Sequence, residues 1–303
     1  TNAAGSTNRV LTMVNCNNAM VSEVTITGGY HADLAGGIGG GAAIFTCGGV
    51  FLSGCVISNN TAIGNNSLVP GGGIYAGNSV VALHDCLVVS NSAAASITFP
   101  SPYGGGIYAE NGYMLVNNSI IASNRCSGST GGRYGGGLFI NGATCLLRNS
   151  MVLGNTVLNY AGGDGLGIYY GSLTLENCDV LNNAGLGFYR GGGIAALKSS
   201  IFWGNGDDIT GTVAVAGCAI QTANDAFWTN GVDGCITNNP LFENAGVGDY
   251  HLKRMSPCIN AGTNQDWMIN GTDFEGNRRL QGQIVDMGIY ETSPIGGSTL
   301  FIR

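Results

Sequence analysis

The sequence predicts an all-β protein, a right-handed parallel β-helix (single-stranded β-solenoid) that ends in a C-terminal capping segment. Three observations support this prediction. A glycine-rich turn recurs along the chain, a unit that ends in asparagine recurs in step with it, and each repeat holds three short segments of alternating apolar residues. Alternation at every second residue is typical of strands rather than helices. A repeated unit of nearly constant length indicates that successive units stack on one another.

The first repeated element is a glycine-rich turn that is followed by an aliphatic and then an aromatic residue. It is clearest at residues 71–75, 104–108 and 135–139, and weaker copies lie at 39–45, 163–169 and 191–195. Glycine allows positive φ angles and a close approach of backbones at a corner. A phosphate-binding glycine loop would be followed by a helix, and the pattern predicts none here.

The second repeated element runs from a cysteine or serine through apolar residues to an asparagine five residues later. The asparagines are Asn60, Asn91, Asn124, Asn155, Asn183 and Asn205. A side-chain amide can donate to one neighbour and accept from another, so a stacked column can form a chain of hydrogen bonds along the solenoid. We interpret this column as a structural ladder rather than as a set of ligand contacts.

The columns of each unit match the same columns of the next unit, including an apolar column before each asparagine unit. Its members are Leu52, Leu83, Val116, Leu147, Leu175 and Leu197. Parallel stacking at about 4.8 Å per coil requires such matching, whereas hairpins would need partner strands within each unit. The pattern therefore favours parallel coils.

These units resemble those of bacterial secreted right-handed parallel β-helix repeat proteins, and they are similar to autotransporter passenger and chlamydial polymorphic outer-membrane protein repeats. The resemblance covers about residues 20–230. It implies the fold and a secreted location, but no particular activity.

The C-terminal part resembles a terminal segment that is common in such secreted proteins. The similar stretches are 239–242, 249–252, 256–262, 273–279 and 285–291. The resemblance implies a final coil and a cap, and solenoids need caps because an open end exposes strand edges and core. We therefore divide the chain into β-helix repeats at 1–238 and a terminal coil, cap and tail at 239–303. Asp273, Asp286 and Glu291 are interpreted as turn residues of the cap.

Composition excludes several classes of partner. Only 10% of the 303 residues are charged, the formal net charge is −7, and lysine and arginine together number 11. Nucleic acid and anionic membrane surfaces need clustered cations, so neither is an expected partner. The sequence has no run of 18 apolar residues, so we predict no transmembrane segment.

The ten cysteines suggest disulfides together with some buried thiols, and hence an oxidising, extracellular or cell-surface location. Cys55 and Cys86 occupy one column in successive coils, which is compatible either with a disulfide or with two packed thiols. Cys235 and Cys258 flank the start of the terminal segment, and we expect them to pair.

The sequence indicates no catalytic or metal-binding constellation. The Asn-Thr-Asp, Gly-His-Gly and Arg-x-Lys elements of polygalacturonases are absent, and no dense run of aspartates marks a calcium loop. No cofactor is predicted, although calcium at loop carboxylates is left open. Asp207 and Asp208 form the one adjacent acidic pair, and we interpret them as turn residues.

An aromatic column is the most prominent candidate for binding. Phe45, Tyr75, Tyr108, Phe139 and Tyr169 each follow the aliphatic column, so they are expected to point outwards if that column faces the core. Other tyrosines, among them Tyr103, Tyr134 and Tyr189, lie on the loops beside this stripe. An exposed stripe could stack on sugar rings or on a partner protein. The alternative is a ring ladder that only stabilises the stack and is covered by the loops.

The function predicted from these features is a non-enzymatic extracellular or cell-surface β-helix scaffold or adhesin. Its partners would be a glycan or a surface protein, or further copies that dock end to end. The alternative is a polysaccharide lyase or glycoside hydrolase of the β-helix type. A groove with converging acids and a basic residue would favour the enzyme, whereas a neutral face would favour binding.

Overall fold

The computed structural model of the 303-residue chain describes residues 7–33, 39–64, 69–95, 102–128, 134–158, 163–222 and 230–292. Within these ranges the chain is a right-handed parallel β-helix, because its long strands pair in parallel with the strands one repeat before and after them. The predicted fold class is therefore confirmed. No helix of the described ranges has the length and apolar character that a membrane crossing requires.

Sheet 1 forms the broadest face, and its longest strands contain 11 residues each. Its strands in the described part of the chain are Leu11–Val14, Ala19–Ser22, Ala42–Phe45, Val50–Ser53, Ile74–His84, Ile107–Asn117, Leu138–Arg148, Leu166–Glu176, Leu186–Arg190, Ile194–Lys198, Asp207–Thr210 and Ala214–Ala216.

Two further sheets close each coil. Sheet 2 contains the described strands Thr25–Thr27, Val56–Ser58, Leu87–Val89, Ile120–Ala122, Met151–Leu153, Asp179–Leu181, Ile201–Trp203 and Ala219–Ile220. Sheet 3 contains Thr7–Asn8, Tyr30–Asp33, Thr61–Gly64, Ser92–Ala95, Arg125–Ser127 and Thr156–Val157, of which the first pairs antiparallel. The short strands Val69–Pro70 and Pro102–Tyr103 form a separate parallel pair.

The core runs along the axis of the coils. The predicted apolar column is in register, since Leu83 pairs with Leu52 and Val116, and Leu147 pairs with Val116 and Leu175. These side chains are fully buried. Outward positions alternate with them because successive strand side chains point to opposite faces.

The asparagine column is a continuous hydrogen-bonded ladder inside the turn between sheets 2 and 3. Each amide nitrogen donates to the amide oxygen of the asparagine one coil further on. The successive distances are 2.9 Å for Asn60 to Asn91, 3.0 Å for Asn91 to Asn124, 3.0 Å for Asn124 to Asn155, 3.1 Å for Asn155 to Asn183 and 2.9 Å for Asn183 to Asn205. Each amide also donates to a backbone carbonyl, as Asn124 does to Val88 at 2.9 Å. Asn205 ends the ladder by donating to Asp208 at 2.7 Å.

The glycine triplets are explained by this ladder. In residues 104–106, Gly104 has a φ of +61°, which L side chains rarely adopt. A Cβ on Gly106 would lie 2.6 Å from the Gly137 carbonyl oxygen and 2.9 Å from the Asn124 amide carbon. The turn therefore needs glycine at the third position because the ladder amide lies directly against the backbone.

The C-terminal part covers the side of the β-helix. Its described strands are Phe242–Asn244 and Asp249–Leu252, and its 3-10 turns are Ala245–Val247 and Asp266–Ile269; a further 3-10 turn, Val232–Gly234, precedes it. Tyr250, Leu252, Met287 and Ile289 pack against apolar residues on the outer face of sheet 2, such as Leu181. We call residues 239–292 the lateral layer.

Contacts of the lateral layer reach several successive coils. Asn149 donates to the Thr272 carbonyl, Asn177 to the Asp286 carbonyl and Ser199 to the Thr263 carbonyl. Within the described ranges, the last parallel bridge between coils joins Ala219 and Ile236. The capping segment thus covers one flank of the stack.

The cysteines form no disulfide. All ten are free thiols, and all but Cys16 are buried. The predicted pairing of Cys235 with Cys258 is wrong, because Cys235 lies in the coil core beside Cys218 whereas Cys258 packs in the lateral layer. Cys55 and Cys86 are two packed thiols, the second of the two alternatives. The cysteines therefore no longer argue for an oxidising compartment.

Candidate functional site

The predicted aromatic stripe is a buried ring ladder over most of its length. Tyr75, Tyr108 and Phe139 are 6%, 2% and 4% exposed, and their rings follow one another at centroid distances of 5.7 and 5.8 Å. Tyr103 and Tyr134, from the segments before the glycine turns, pack on Phe139 at 4.7 and 5.8 Å. Of the two alternatives, the structure bears out the covered ring ladder for these three rings and excludes the exposed stripe there, because the flanking tyrosines cover them.

The stripe also differs in register from the predicted column. Phe45 lies opposite Gly77, and Phe139 lies opposite Gly167 rather than Tyr169. The three-residue turns 39–41, 71–73, 135–137 and 163–165 are in register, but the aliphatic–aromatic pair that ends in Phe45 or Tyr169 comes two residues later after its turn than the pair that ends in Tyr75. Aligning the coils by residue type therefore misplaces Phe45 and Tyr169. A Cβ on Gly167 would approach the Phe139 ring to 2.9 Å, so glycine leaves the space that this ring occupies. The Phe45 ring still reaches Tyr75, at 5.0 Å.

An aromatic cleft of about 390 Å³ opens beside the buried rings. We call it the tyrosine cleft, and it is lined by Tyr103, Tyr108, Tyr134, Phe139, Asn141, Tyr169 and Tyr170. Tyr169 and Tyr170 are 46% and 60% exposed, and their rings meet edge to face at 4.7 Å. Tyr134 also stacks on Tyr189 at 5.1 Å. Of the five predicted stripe residues, Tyr169 is thus the one that presents a broadly exposed ring to this cleft.

Hydrogen bonds orient the polar atoms of this face. The Asn141 amide donates to the Tyr108 hydroxyl oxygen at 3.0 Å, and the Tyr75 hydroxyl donates to the Glu110 carboxylate at 2.5 Å. Burial raises the pKa of Tyr108 to about 12, and burial together with the bond to Glu110 raises the pKa of Tyr75. Both phenols are therefore neutral at ordinary pH.

A second groove, of about 470 Å³, lies between sheet 1 and the lateral layer. Arg148, Glu176 and Lys198 occupy one row of successive coils. Glu176 is nearly buried and pairs with Arg148 at 2.6 Å and with Lys198 at 3.5 Å. The Arg148 guanidinium lies 5.2 Å from the centre of the Trp267 ring, and Asp266 completes the wall. We call this the charged groove.

A buried ionic network joins the lateral layer to sheet 2. Arg279 is fully buried, pairs with Glu291 at 3.3 Å, and donates to the carbonyls of Ile289 (2.9 Å) and Gly288. Asp179, Asp273 and Asp286 also surround it. Asp273 accepts the backbone N–H groups of Glu275 and Asn277, in keeping with its interpretation as a turn residue.

Burial raises the pKa of Asp179 to about 7 and that of Glu291 to about 8, although Arg279 opposes both shifts. Each carboxyl therefore keeps its proton in the folded state at pH values where the unfolded chain has lost it. Since the folded state binds more protons, its stability falls as the pH rises from about 4 through about 8.

We expect the unfolding free energy to be larger at pH 5 than at pH 8 by an amount on the order of 2 kcal/mol. This difference is smaller than two independently titrating carboxyl groups with these pKa values would give, because the groups of the network interact. Urea unfolding followed by tryptophan fluorescence at both pH values measures this difference. Asp179→Asn removes one titrating group and is the matched control. An equal pH dependence in the variant would contradict the assignment.

Within the described ranges, no group of three or more histidine, cysteine, aspartate or glutamate side chains is placed to hold a metal ion. Sequence reasoning missed Tyr170, Asn141 and the charged groove. The adjacent pair Tyr169-Tyr170 was a sequence signal for Tyr170. The charged groove had no sequence signal, because Trp267 lies far along the chain from Arg148 and contacts it only in the folded structure.

No protein-family model matches the chain, and no curated protein matches it. Among solved structures, the crystal structure of pectate lyase Pel9A is similar over 92% of this chain and 69% of that chain, with 12% sequence identity and a TM-score of 0.38. A likeness this distant does not bear on activity or on individual residues.

Proposed function

We propose that this protein is a non-enzymatic β-helix scaffold that binds a glycan in the tyrosine cleft. The observation that carries the proposal is the cleft itself, which is lined by the exposed rings of Tyr169 and Tyr170 together with Asn141, Tyr103 and Tyr134. An extracellular or cell-surface location belongs to the same proposal. Only 10% of the residues are charged, which is in keeping with a surface that meets neutral ligands.

The chemistry of the cleft suits a sugar. Aromatic rings offer apolar faces to the C–H groups of a pyranose, while phenol and amide groups offer hydrogen bonds to its hydroxyls. The lining residues include no charged side chain, and the raised pKa of Tyr108 keeps its phenol neutral. A neutral glycan therefore fits this cleft better than an acidic one.

Binding without cleavage follows from the same composition. Glycoside hydrolysis uses two carboxyl groups at about 5–9.5 Å from each other. No carboxylate is among the residues that line the tyrosine cleft. A glycan held there would meet rings, hydroxyls and an amide.

We expect Tyr169→Ala and Tyr170→Ala each to weaken glycan binding by about tenfold, because each removes an exposed stacking surface. A glycan-array screen identifies the ligand, and titration calorimetry with that ligand measures the loss. Tyr113→Ala is the matched control, since Tyr113 is 38% exposed on sheet 1 but does not line the cleft. Equal losses in all three variants, or none in the first two, would contradict the proposal.

A second candidate function is polysaccharide cleavage in the charged groove. The observation that favours it is the meeting of two acids, Glu176 and Asp266, with the basic residues Arg148 and Lys198 beside an indole ring. Incubating the screened polysaccharides with the protein and measuring chain length distinguishes the candidates. Cleavage that disappears in Glu176→Gln would support the enzyme and would overturn the non-enzymatic proposal.

A further inference from the structure

Six of the ten cysteines stack in three pairs, each pair on adjacent coils. The pairs are Cys16 with Cys47, Cys55 with Cys86, and Cys218 with Cys235. The strand register places the partners opposite each other, because Val14 pairs with Phe45, Val56 with Leu87, and Ala219 with Ile236. In-register residues on adjacent coils lie at about 4.8 Å, within the window of roughly 4.4–6.8 Å between Cα atoms that a disulfide requires.

The thiols of each pair are direct neighbours. The Cys16 backbone N–H lies 3.3 Å from the Cys47 sulfur. Both members of each of the other two pairs lie in the apolar core, at matching positions of adjacent coils. The neighbouring Cys218 thiol lowers the pKa of Cys235 despite its burial, which favours the thiolate that disulfide exchange requires. Because the register already places the Cα atoms within the disulfide window, closing a pair requires mainly rotation of the two side chains.

We propose that these three pairs are disulfide-forming sites that staple successive coils together when a small disulfide oxidant is present. One cysteine thiolate attacks the sulfur–sulfur bond of the oxidant and releases half of it as a thiol. The partner cysteine, having lost its proton, then attacks the mixed disulfide and releases the second half. Two protein thiols are oxidised to one disulfide, and one oxidant molecule is reduced to two thiols.

The positions of the pairs give the staples a role. The first pair lies in the first two described coils, and the third lies where the described coils end. Repeat proteins contact only neighbouring repeats, so each interface between coils contributes separately to stability. Staples at these two places would each tie one coil to the next. Cys16 is partly exposed whereas its counterparts are buried, so the first pair is the one that oxidises soonest.

The test uses the full chain incubated with oxidised glutathione, followed by alkylation of the remaining thiols and peptide mapping by mass spectrometry. The expected products are three crosslinks, Cys16–Cys47 forming first. Cys145 is the internal control, because its strand neighbours are Met114 and Leu173 and not cysteines. Crosslinks that join other cysteines, or glutathione that stays on Cys16 without passing to Cys47, would overturn the proposal.

A stability measurement separates a staple from adventitious oxidation. Oxidation should raise the urea midpoint of unfolding by roughly 1 M. In Cys47→Ser the first crosslink cannot form, so its part of the increase should vanish while the other two crosslinks persist. Because every comparison is made within one variant, oxidised against reduced, a lower starting stability of the variant does not obscure the result. An unchanged midpoint after complete crosslinking would argue against the stabilising role.

Discussion

Arg279→Met is expected to destabilise the attachment of the lateral layer by about 3–5 kcal/mol. Arg279 is completely buried and is surrounded by the carboxyl groups of Asp179, Asp273, Asp286 and Glu291. It also donates to the Ile289 and Gly288 carbonyls. Methionine fills similar space but leaves the carboxyl groups without their cation and two buried carbonyls without a donor.

Urea unfolding followed by tryptophan fluorescence measures this loss, because Trp203 packs against the lateral layer. Arg278→Met is the matched control, since Arg278 is the preceding residue and its side chain is exposed. We expect the control to change stability by less than about 0.5 kcal/mol. Similar losses in both variants would show that the network around Arg279 does not hold the layer in place.

Asn124→Ala is expected to cost roughly 2–5 kcal/mol, because it interrupts the ladder in the middle of the stack. The Asn124 amide donates to the Val88 carbonyl and to Asn155, and its oxygen accepts from the backbone and the amide of Asn91 at 3.0 Å each. Alanine cannot replace any of these bonds, and the groups that lose their partners are buried.

The loss is measured by urea unfolding and by the rate of amide hydrogen exchange in the coils on either side of residue 124. Asn117→Ala is the control, because Asn117 faces outwards on sheet 1 and its amide contacts only the His84 ring among the described hydrogen bonds. Exchange that quickens equally in both variants would contradict a special role for the ladder.

The register of the aromatic residues shows where sequence reasoning fails. Matching the aliphatic–aromatic pair aligned Phe45 and Tyr169 with Tyr75, but strand pairing places Ala43 opposite Tyr75 and Gly167 opposite Phe139. The alternation of side chains along each strand correctly predicted that the rings point away from the coil core. These outward rings are nevertheless buried, because other aromatic side chains pack on them. Tyr103 and Tyr134, which directly precede the glycine turns, pack against the rings and cover them.

The sequence by itself determined the parallel β-helix, its asparagine ladder and its apolar column, because neighbouring coils repeat the same short pattern and stack in register. The tertiary structure alone decided which rings are exposed, which cysteines meet and where charges gather. The tyrosine cleft depends on Tyr103 and Tyr134 lying beside Tyr169 and Tyr170, and Cys235 lies opposite Cys218 although only 17 residues separate them in sequence. Arg148 with Trp267 and Asp179 with Arg279 form contacts between segments about 100 residues apart, which no repeat relates to each other.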